Sequence, residues 1–427
     1  MRHSACWPVH RLQYAGAFRL CAGQHSINAP ASLTFPMTTS ASHHSSRAQA
    51  AHGGPQAQPS IDTIDATPIA AIRAHAYKIP TDAPEADGTF AWTSTTLIVV
   101  EIDAGGCTGL GYTYTDASAV KLIRDTLAKE WLHEHAGHIN ALTARLWRRV
   151  RNIGRSGLCA NAISALDFAL WDLNARLRGV PLVNLLGGPL RERVEIYGSG
   201  GFTSYDDAKL REQLSHWVEF DGCRAVKMKI GSQPERDPAR VRAAREAIGD
   251  AALFVDANGA LTVKGALQYA DCFADEGVAW FEEPVSSDDL EGLRFVRDAA
   301  PVTMDIAAGE YAYTCDDFRR MLDMHAVDVL QADATRCGGV TGFMQAAQLC
   351  DAWHIPLSAH CAPSLHRHLA AAAPRLRHIE WFHDHVRIES MLFDGAPLAD
   401  HGSIAPDLSR PGCGLEFKSA DAQPYAL

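Results

Sequence analysis

Seven stretches of this sequence carry a polar residue at, or just past, the end of a short apolar run. Lys227 and Lys229 close AVKMKIG, Asp256 closes LFVDAN and Glu282 closes AWFEEP. Glu310 follows VTMDIAAGE, Asp333 closes VDVLQAD, His360 closes IPLSAH and Glu380 closes LRHIE. From Lys229 onward these residues recur every 20 to 28 positions, about the length of one strand–loop–helix–loop unit. Each has an ordinary explanation on its own. Asp256 would serve as a helix N-cap, Glu282-Glu283-Pro284 as a solvated turn, and His360 as a satisfied core histidine. Repetition at one phase argues against seven separate coincidences.

Asp256, Glu282 and Glu310 come from three successive units. Three carboxylates brought together repel unless a cation neutralises them. An all-oxygen donor set suits a hard ion such as Mg²⁺. No Cys or His shares these positions, which argues against zinc. Lys227 and Lys229, two apart on a strand, point to the same face. Two crowded ammonium groups disfavour each other's charge, so one is expected to be neutral and to act as a base. One unit from Asp333, His360 would have its tautomer fixed and its cation supported by that carboxylate. Two acid/base groups flanking a metal suit removal of a proton α to a carboxylate, because a divalent ion can hold the enediolate oxygens. Glu380, in its acid form, would donate one further hydrogen bond. A GxSxG elbow, a Walker loop and a GxGxxG loop are all missing, so serine acylation and nucleotide binding have no support.

These residues need elements to hold them. Residues 69–79, 95–102 and 109–114 are β-rich, and Gly105-Gly106 joins the last two as a hairpin. Residues 160–178 form a helix: Ile163, Leu166, Leu170, Leu173 and Leu177 fall on one face, and Gly179 and Pro181 supply the stop. Asp167, Trp171 and Asp172 on that helix read as packing and surface charge. Eight strands then alternate with helices: 194–197, 225–230, 253–255, 278–281, 302–306, 327–330, 355–358 and 376–379. An open doubly wound sheet would spread the seven polar residues along an edge. A closed barrel gathers them at its C-terminal rim, where active sites lie, and is preferred. The segment 191–389 is short for an eight-fold barrel, which takes about 250 residues.

The chain has 427 residues, 47% hydrophobic and 21% charged, with a net charge of −11. That acidity argues against nucleic acid, whose binders need a basic footprint. No apolar run reaches the roughly 18 residues of a membrane span. Eleven cysteines, an odd number without a CxxC pair, suit a reducing compartment and a cytoplasmic location. The first 61 residues contain no Asp or Glu. Residues 1–60 are expected to be a disordered N-terminal extension. Their Arg-rich, acid-poor composition also resembles an organelle transit peptide, and an over-extended gene start with Met37 as initiator is the plainer alternative.

Taken together, the motifs resemble the enolase superfamily, within it the mandelate racemase/muconate lactonizing enzyme family and its mandelate racemase group. The resemblance spans roughly residues 65–420. It rests on KMK at 227–229, DANG from Asp256, EEP from Glu282, AAGE ending at Glu310, DATRCGGVTG from Asp333, SAHCAP around His360 and the Glu380 position. The helix SALDFALWDLNARLRGVPL and the late PGCGLEF add to it. Superfamily sites are known to use a Lys or His base with Mg²⁺.

The resemblance implies an α/β fold: a modified TIM barrel, (β/α)7β, over residues 191–389, under an α+β capping domain over 61–190 completed by 390–427. It implies Lys229 as base with Lys227 as its partner near the substrate carboxylate, and His360 with Asp333 on the opposite face. Asp256, Glu282 and Glu310 would bind Mg²⁺. Asn258 would contact substrate, Glu380 would bond a carboxylate oxygen, and capping loops near 81–92 and 152–157 would select the substrate. Arg336, His366, His368, His383, Asp384 and His385 add polar groups near the rim, with Arg336 a substrate-binding candidate. The implied reaction is dehydration of a small-molecule sugar acid by a homo-oligomer. Racemisation or epimerisation of a 2-hydroxy acid and cycloisomerisation of a sugar lactone are the alternatives. A non-catalytic metal-binding scaffold is disfavoured, since none of the expected positions is lost.

Overall fold

The structure is a computed structural model and describes residues 66–427. The extension expected over 1–60 lies outside the described residues. Three strands, β1 (Ala71–Ala86), β2 (Ala91–Ala104) and β3 (Cys107–Tyr114), form an antiparallel sheet in that order. Gly105 and Gly106, at φ +56° and +79°, make the β2–β3 turn, a backbone region that favours glycine. β1 runs well past the apolar stretch that marked it. After a register shift beyond Pro80, Glu85 pairs with Trp92 and Ala86 with Ala91, so polar residues continue the strand.

The helix Leu158–Leu177 crosses β3 closely. A Cβ on Gly111 would lie 2.3 Å from the Ala165 carbonyl oxygen. Sixteen of the helix's twenty residues are buried, so it is enclosed on more than its leucine face. The expectation of surface charge at Asp167 and Asp172 is therefore overturned. Asp167 accepts hydrogen bonds from Thr143 Oγ1 (2.7 Å), the Thr341 N–H (2.9 Å) and Thr341 Oγ1 (2.7 Å). Asp172 accepts from the Leu110 N–H (2.8 Å) and the Cys413 N–H (2.6 Å) and pairs with Arg176 (2.6 Å). Trp171, partly buried, donates from Nε1 to Thr341 Oγ1.

Eight parallel strands follow: β4 (Val194–Gly200), β5 (Ala225–Lys229), β6 (Ala252–Asp256), β7 (Val278–Glu282), β8 (Asp305–Ala308), β9 (Val329–Ala332), β10 (Leu357–Ala359) and β11 (Leu376–Phe382). Each pairs with the next, and β11 pairs back onto β4, so the sheet is a closed barrel. Strands of three to seven residues explain how so short a segment closes. β8 begins three residues later than the apolar run 302–306, because Pro301 to Met304 is a turn and Val302 lies in solvent. Seven helices link successive strands, and an eighth, His383–Leu392, leads back to the three-stranded sheet. Its Glu389 accepts from Tyr112 Oη on β3 (2.7 Å). The C-terminal return divides its contacts. Ser403–Ile404 pairs with the start of β4, whereas the Leu427 N–H donates to Ala76 on β1 (3.0 Å). Among the described residues, no helix is long and apolar enough to cross a membrane.

Inside the barrel, Tyr197, Phe254, Trp280 and His378 form an aromatic floor, with successive ring centroids 4.7 to 5.4 Å apart. Burial pushes His378 down to about 3, so its imidazole is neutral.

Candidate functional site

Strand register turns distant sequence positions into neighbours. Lys229 on β5 lies opposite Asp256 on β6, and Asp256 lies opposite Glu282 on β7. Lys227 and Lys229 alternate with Val226 and Met228, which pack into the core between barrel and helices. Both lysines and the carboxylates of Asp256, Glu282 and Glu310 are therefore buried at one end of the barrel. Carboxylate oxygens of Asp256, Glu282 and Glu310 lie within 4.8 Å of one another. The donor set is oxygen only, as a hard cation prefers. Glu310 Oε2 has no hydrogen bond of good geometry, although His360 Nε2 lies 3.1 Å away. These residues fit Mg²⁺.

Lysines compensate the carboxylates. Lys227 Nζ lies 2.6 Å from Glu282 Oε1, 2.8 Å from Glu380 Oε1 and 3.6 Å from Asp256 Oδ2. Lys229 pairs with Asp256. This corrects the expectation of a neutral lysine. Burial, the largest influence, and Lys227 pull Lys229 down, but Asp256, Glu310 and Glu282 together outweigh them and hold the ammonium above its ordinary value. Glu282 is pushed up to about 8, by burial and then by Asp256. Glu380 is likewise not an acid-form donor. Burial opposes its charge, yet Lys227 and His360 hold it well below the carboxylate range. As a carboxylate it accepts from Ser199 Oγ (2.5 Å) and the Cys361 N–H (3.1 Å).

His360 Nδ1 lies 2.8 Å from Asp333 Oδ2, and Asp333 Oδ1 accepts from the Thr335 N–H (2.7 Å). Burial works against the imidazolium, but Cys361, Glu310, Glu380 and Asp333 raise it well above its usual value. Asn258, at φ +46°, keeps a buried Oδ1 without a partner. Arg336 spans Glu310 (3.3 Å) and Asp333 (3.5 Å) and lies over the Tyr311 ring.

Most of the other polar groups named near the rim are structural ties. His366 Nε2 accepts from the Ala334 N–H (2.9 Å) and Nδ1–H donates to the Cys361 carbonyl (2.8 Å), which joins the loops carrying Asp333 and His360. His368 bridges Val183 and Cys413 in the core. His383 pairs with Asp82 (2.9 Å), Asp384 with Thr95 and Arg387, and His385 stacks on Tyr114.

The 81–92 stretch reaches this end of the barrel. A Cβ on Gly88 would lie 2.3 Å from the Ala257 carbonyl oxygen, and the Thr203 N–H donates to Ala86 (2.8 Å). Trp92 packs edge-on against Phe202 (5.6 Å) in a cluster with Tyr205, Phe382 and Cys361. Of the other loop expected to select substrate, 152–157, residues 152–156 are exposed and Gly157 is partly buried. Two site residues escaped the sequence reading. Glu283 read as turn surface, yet it is buried at φ +36° with Oε1 unpartnered. Cys361 lies inside SAHCAP, with Sγ 3.3 Å from His360 Nε2. A residue adjoining a rim residue was the available signal for both.

Residues 76–187 match the N-terminal domain of the mandelate racemase / muconate lactonizing enzyme family, and residues 209–422 match the family described as enolase C-terminal domain-like. A 3,6-anhydro-alpha-L-galactonate cycloisomerase of Streptomyces coelicolor is 34% identical, over 81% of this chain and 96% of that protein. An L-talarate/galactarate dehydratase of Salmonella typhimurium is 32% identical, over 71% and 78%. Among solved structures, a mandelate racemase/muconate lactonizing enzyme-like protein from Rubrobacter xylanophilus is 49% identical at TM-score 0.82, over 84% of this chain and all of that one. A Streptomyces coelicolor racemase with bound magnesium is 31% identical at TM-score 0.79, with the same coverage. With both domains matched and the barrel closed around the carboxylates, the chain belongs to the mandelate racemase/muconate lactonizing enzyme family of the enolase superfamily.

Proposed function

We propose that the chain dehydrates a sugar acid, with Asp256, Glu282 and Glu310 holding Mg²⁺. The observation that carries this reading is the approach of two acid/base groups to one carboxylate triad from separate strands. Lys229, on β5, pairs with Asp256. His360, beyond β10 and three strands around the ring, lies 3.1 Å from Glu310. When bound, the ion supplies positive charge where the substrate carboxylate gains electron density.

Lys229 takes the α-proton as the neutral amine. Once Asp256, Glu310 and Glu282 are all engaged by a cation, the influences left on Lys229 are burial and Lys227, and both favour that neutral form. The Cα–H electron pair becomes the Cα–Cβ double bond. His360, held as imidazolium by Asp333, gives its proton to the β-hydroxyl, which leaves as water. The enol product tautomerises to a 2-keto acid. Lys227 faces the substrate carboxylate, and Glu380 orients Lys227 through its charge. Asn258 offers its unpartnered oxygen to a substrate hydroxyl, and Arg336 adds a cation at the rim.

The dehydratase relative supports the substrate class. The cycloisomerase relative supports a second reading, isomerisation of a sugar lactone, in which the same pair moves a proton without loss of water. Racemisation would return the proton to the opposite face. A panel of sugar acids in D₂O with Mg²⁺ tests the proposal. Deuterium at the α-carbon of recovered substrate and at the former β-carbon of the 2-keto acid product is expected, and both should vanish in Lys229→Ala and His360→Ala. Exchange retained in both variants would overturn the assigned roles.

The same reading takes 191–389 as the barrel domain, with 61–190 and 390–427 as the cap. It also takes the chain as a cytoplasmic homo-oligomer, to which the nine free cysteines among the described residues lend support for the compartment.

A further inference from the structure

We propose a second metal site beside the first: Zn²⁺ held by His360 Nε2, Cys361 Sγ and Glu380 Oε2, which shuts the enzyme off by capturing the imidazole. The binding half stands alone; the inhibitory half rests on the role proposed above for His360.

Cys361 adopts φ +53°, a left-handed conformation unusual for a residue with a side chain. That backbone turns the thiol toward the barrel interior. Sγ lies 3.3 Å from His360 Nε2 and 3.4 Å from Glu380 Oε2, and those two atoms are 3.6 Å apart. Zinc bonds of about 2.3 Å to sulfur and about 2.0–2.2 Å to nitrogen and oxygen, at tetrahedral angles, require edges of about 3.4–3.6 Å. The observed triangle matches within about 0.3 Å. Three protein ligands leave the fourth position open for water or an anion.

A second feature points the same way. The other ring nitrogen of His360 faces Asp333 Oδ2 at 2.8 Å. Metal-bound imidazoles carry this carboxylate partner, which fixes the ring and raises its basicity. Lys227 occupies Oε1 of Glu380, and Oε2 is the oxygen turned toward Cys361. Phe202, Tyr205 and Phe382 pack around Cys361. A mixed sulfur, nitrogen and oxygen set selects a borderline-soft ion, whereas the neighbouring carboxylates select a hard one. Binding displaces the thiol proton, so thiolate and carboxylate together neutralise the ion.

The experiment uses the full chain at saturating Mg²⁺, with Co²⁺ as the spectroscopic probe. One Co²⁺ per chain is expected, with thiolate-to-metal charge-transfer absorption that Zn²⁺ abolishes by displacement. Cys361→Ala and Cys361→Ser should lose the absorption, and Asp333→Asn should weaken Zn²⁺ binding about 10–100-fold. On the unsubstituted chain, Zn²⁺ should protect Cys361 from alkylation, read by peptide mass spectrometry. Absence of the absorption, equal Zn²⁺ affinity in Cys361→Ala, or unprotected Cys361 each overturns the site. The two proposals fail separately: absorption without turnover of any sugar acid sinks the catalytic reading alone, and turnover without absorption sinks the zinc site alone.

Discussion

Replacing Lys227 with Met tests the electrostatic core of the site. Lys227 is fully buried, and its ammonium touches Glu282 and Glu380 and lies near Asp256. Removing one partner of a buried ion pair costs about 3–5 kcal/mol, because the remaining charge keeps its desolvation penalty. Here three carboxylates lose one counter-charge. At about 2–4 °C per kcal/mol for a domain of this size, the melting temperature in EDTA should fall by about 6–20 °C. Two conditions should recover it. Protonation relieves the repulsion, so the deficit should shrink towards pH 5. Mg²⁺ replaces the missing charge, and a concentration one hundred times Kd returns about 2.7 kcal/mol. The assay is thermal unfolding of both proteins at pH 5 and pH 8, each with EDTA and with Mg²⁺. A variant within about 1 kcal/mol of the parent in EDTA, or one that Mg²⁺ does not stabilise, would refute the argument.

Glu389 gives a pH prediction. Burial raises its carboxyl from 4.5 to about 7. The folded state therefore binds the proton more tightly, and the stability this confers is complete below about pH 4.5 and lost as pH rises through 7. Glu389→Gln should flatten the decline in denaturant stability across that window by about 3 kcal/mol; an unchanged slope would count against the assignment. Gly111→Ala forces a Cβ against the Ala165 carbonyl at 2.3 Å. It should cost about 1–3 kcal/mol in equilibrium unfolding. Gly88→Ala should leave stability nearly intact but lift the hairpin off Ala257 and Ile230. A fall in kcat/KM of about tenfold or more is expected, since small misplacements of a closing loop are costly.

The polar phase at the strand ends was legible because strand alternation and unit length are local properties. So were the barrel segments, the Gly105-Gly106 turn and the helix read at 160–178, which spans Leu158–Leu177. Boundaries slipped where an apolar run was a turn, as at Val302, or where polar residues extended a strand, as at Glu85. Asp167 and Asp172 were misread because the helical period marks one buried face, and only packing against Thr341 and Cys413 buries the others. The kinds of charged group at the barrel mouth follow from the sequence; their ionisation does not. Lys229 is held as a cation and Glu380 as an anion by partners 20 or more residues away. Cys361 joins the site only through a left-handed backbone that no composition announces. Residue type and spacing thus determined which chemistry was available, while charge state and ligand geometry were decided by strand register and burial, which set the distances and the dielectric on which electrostatics depends.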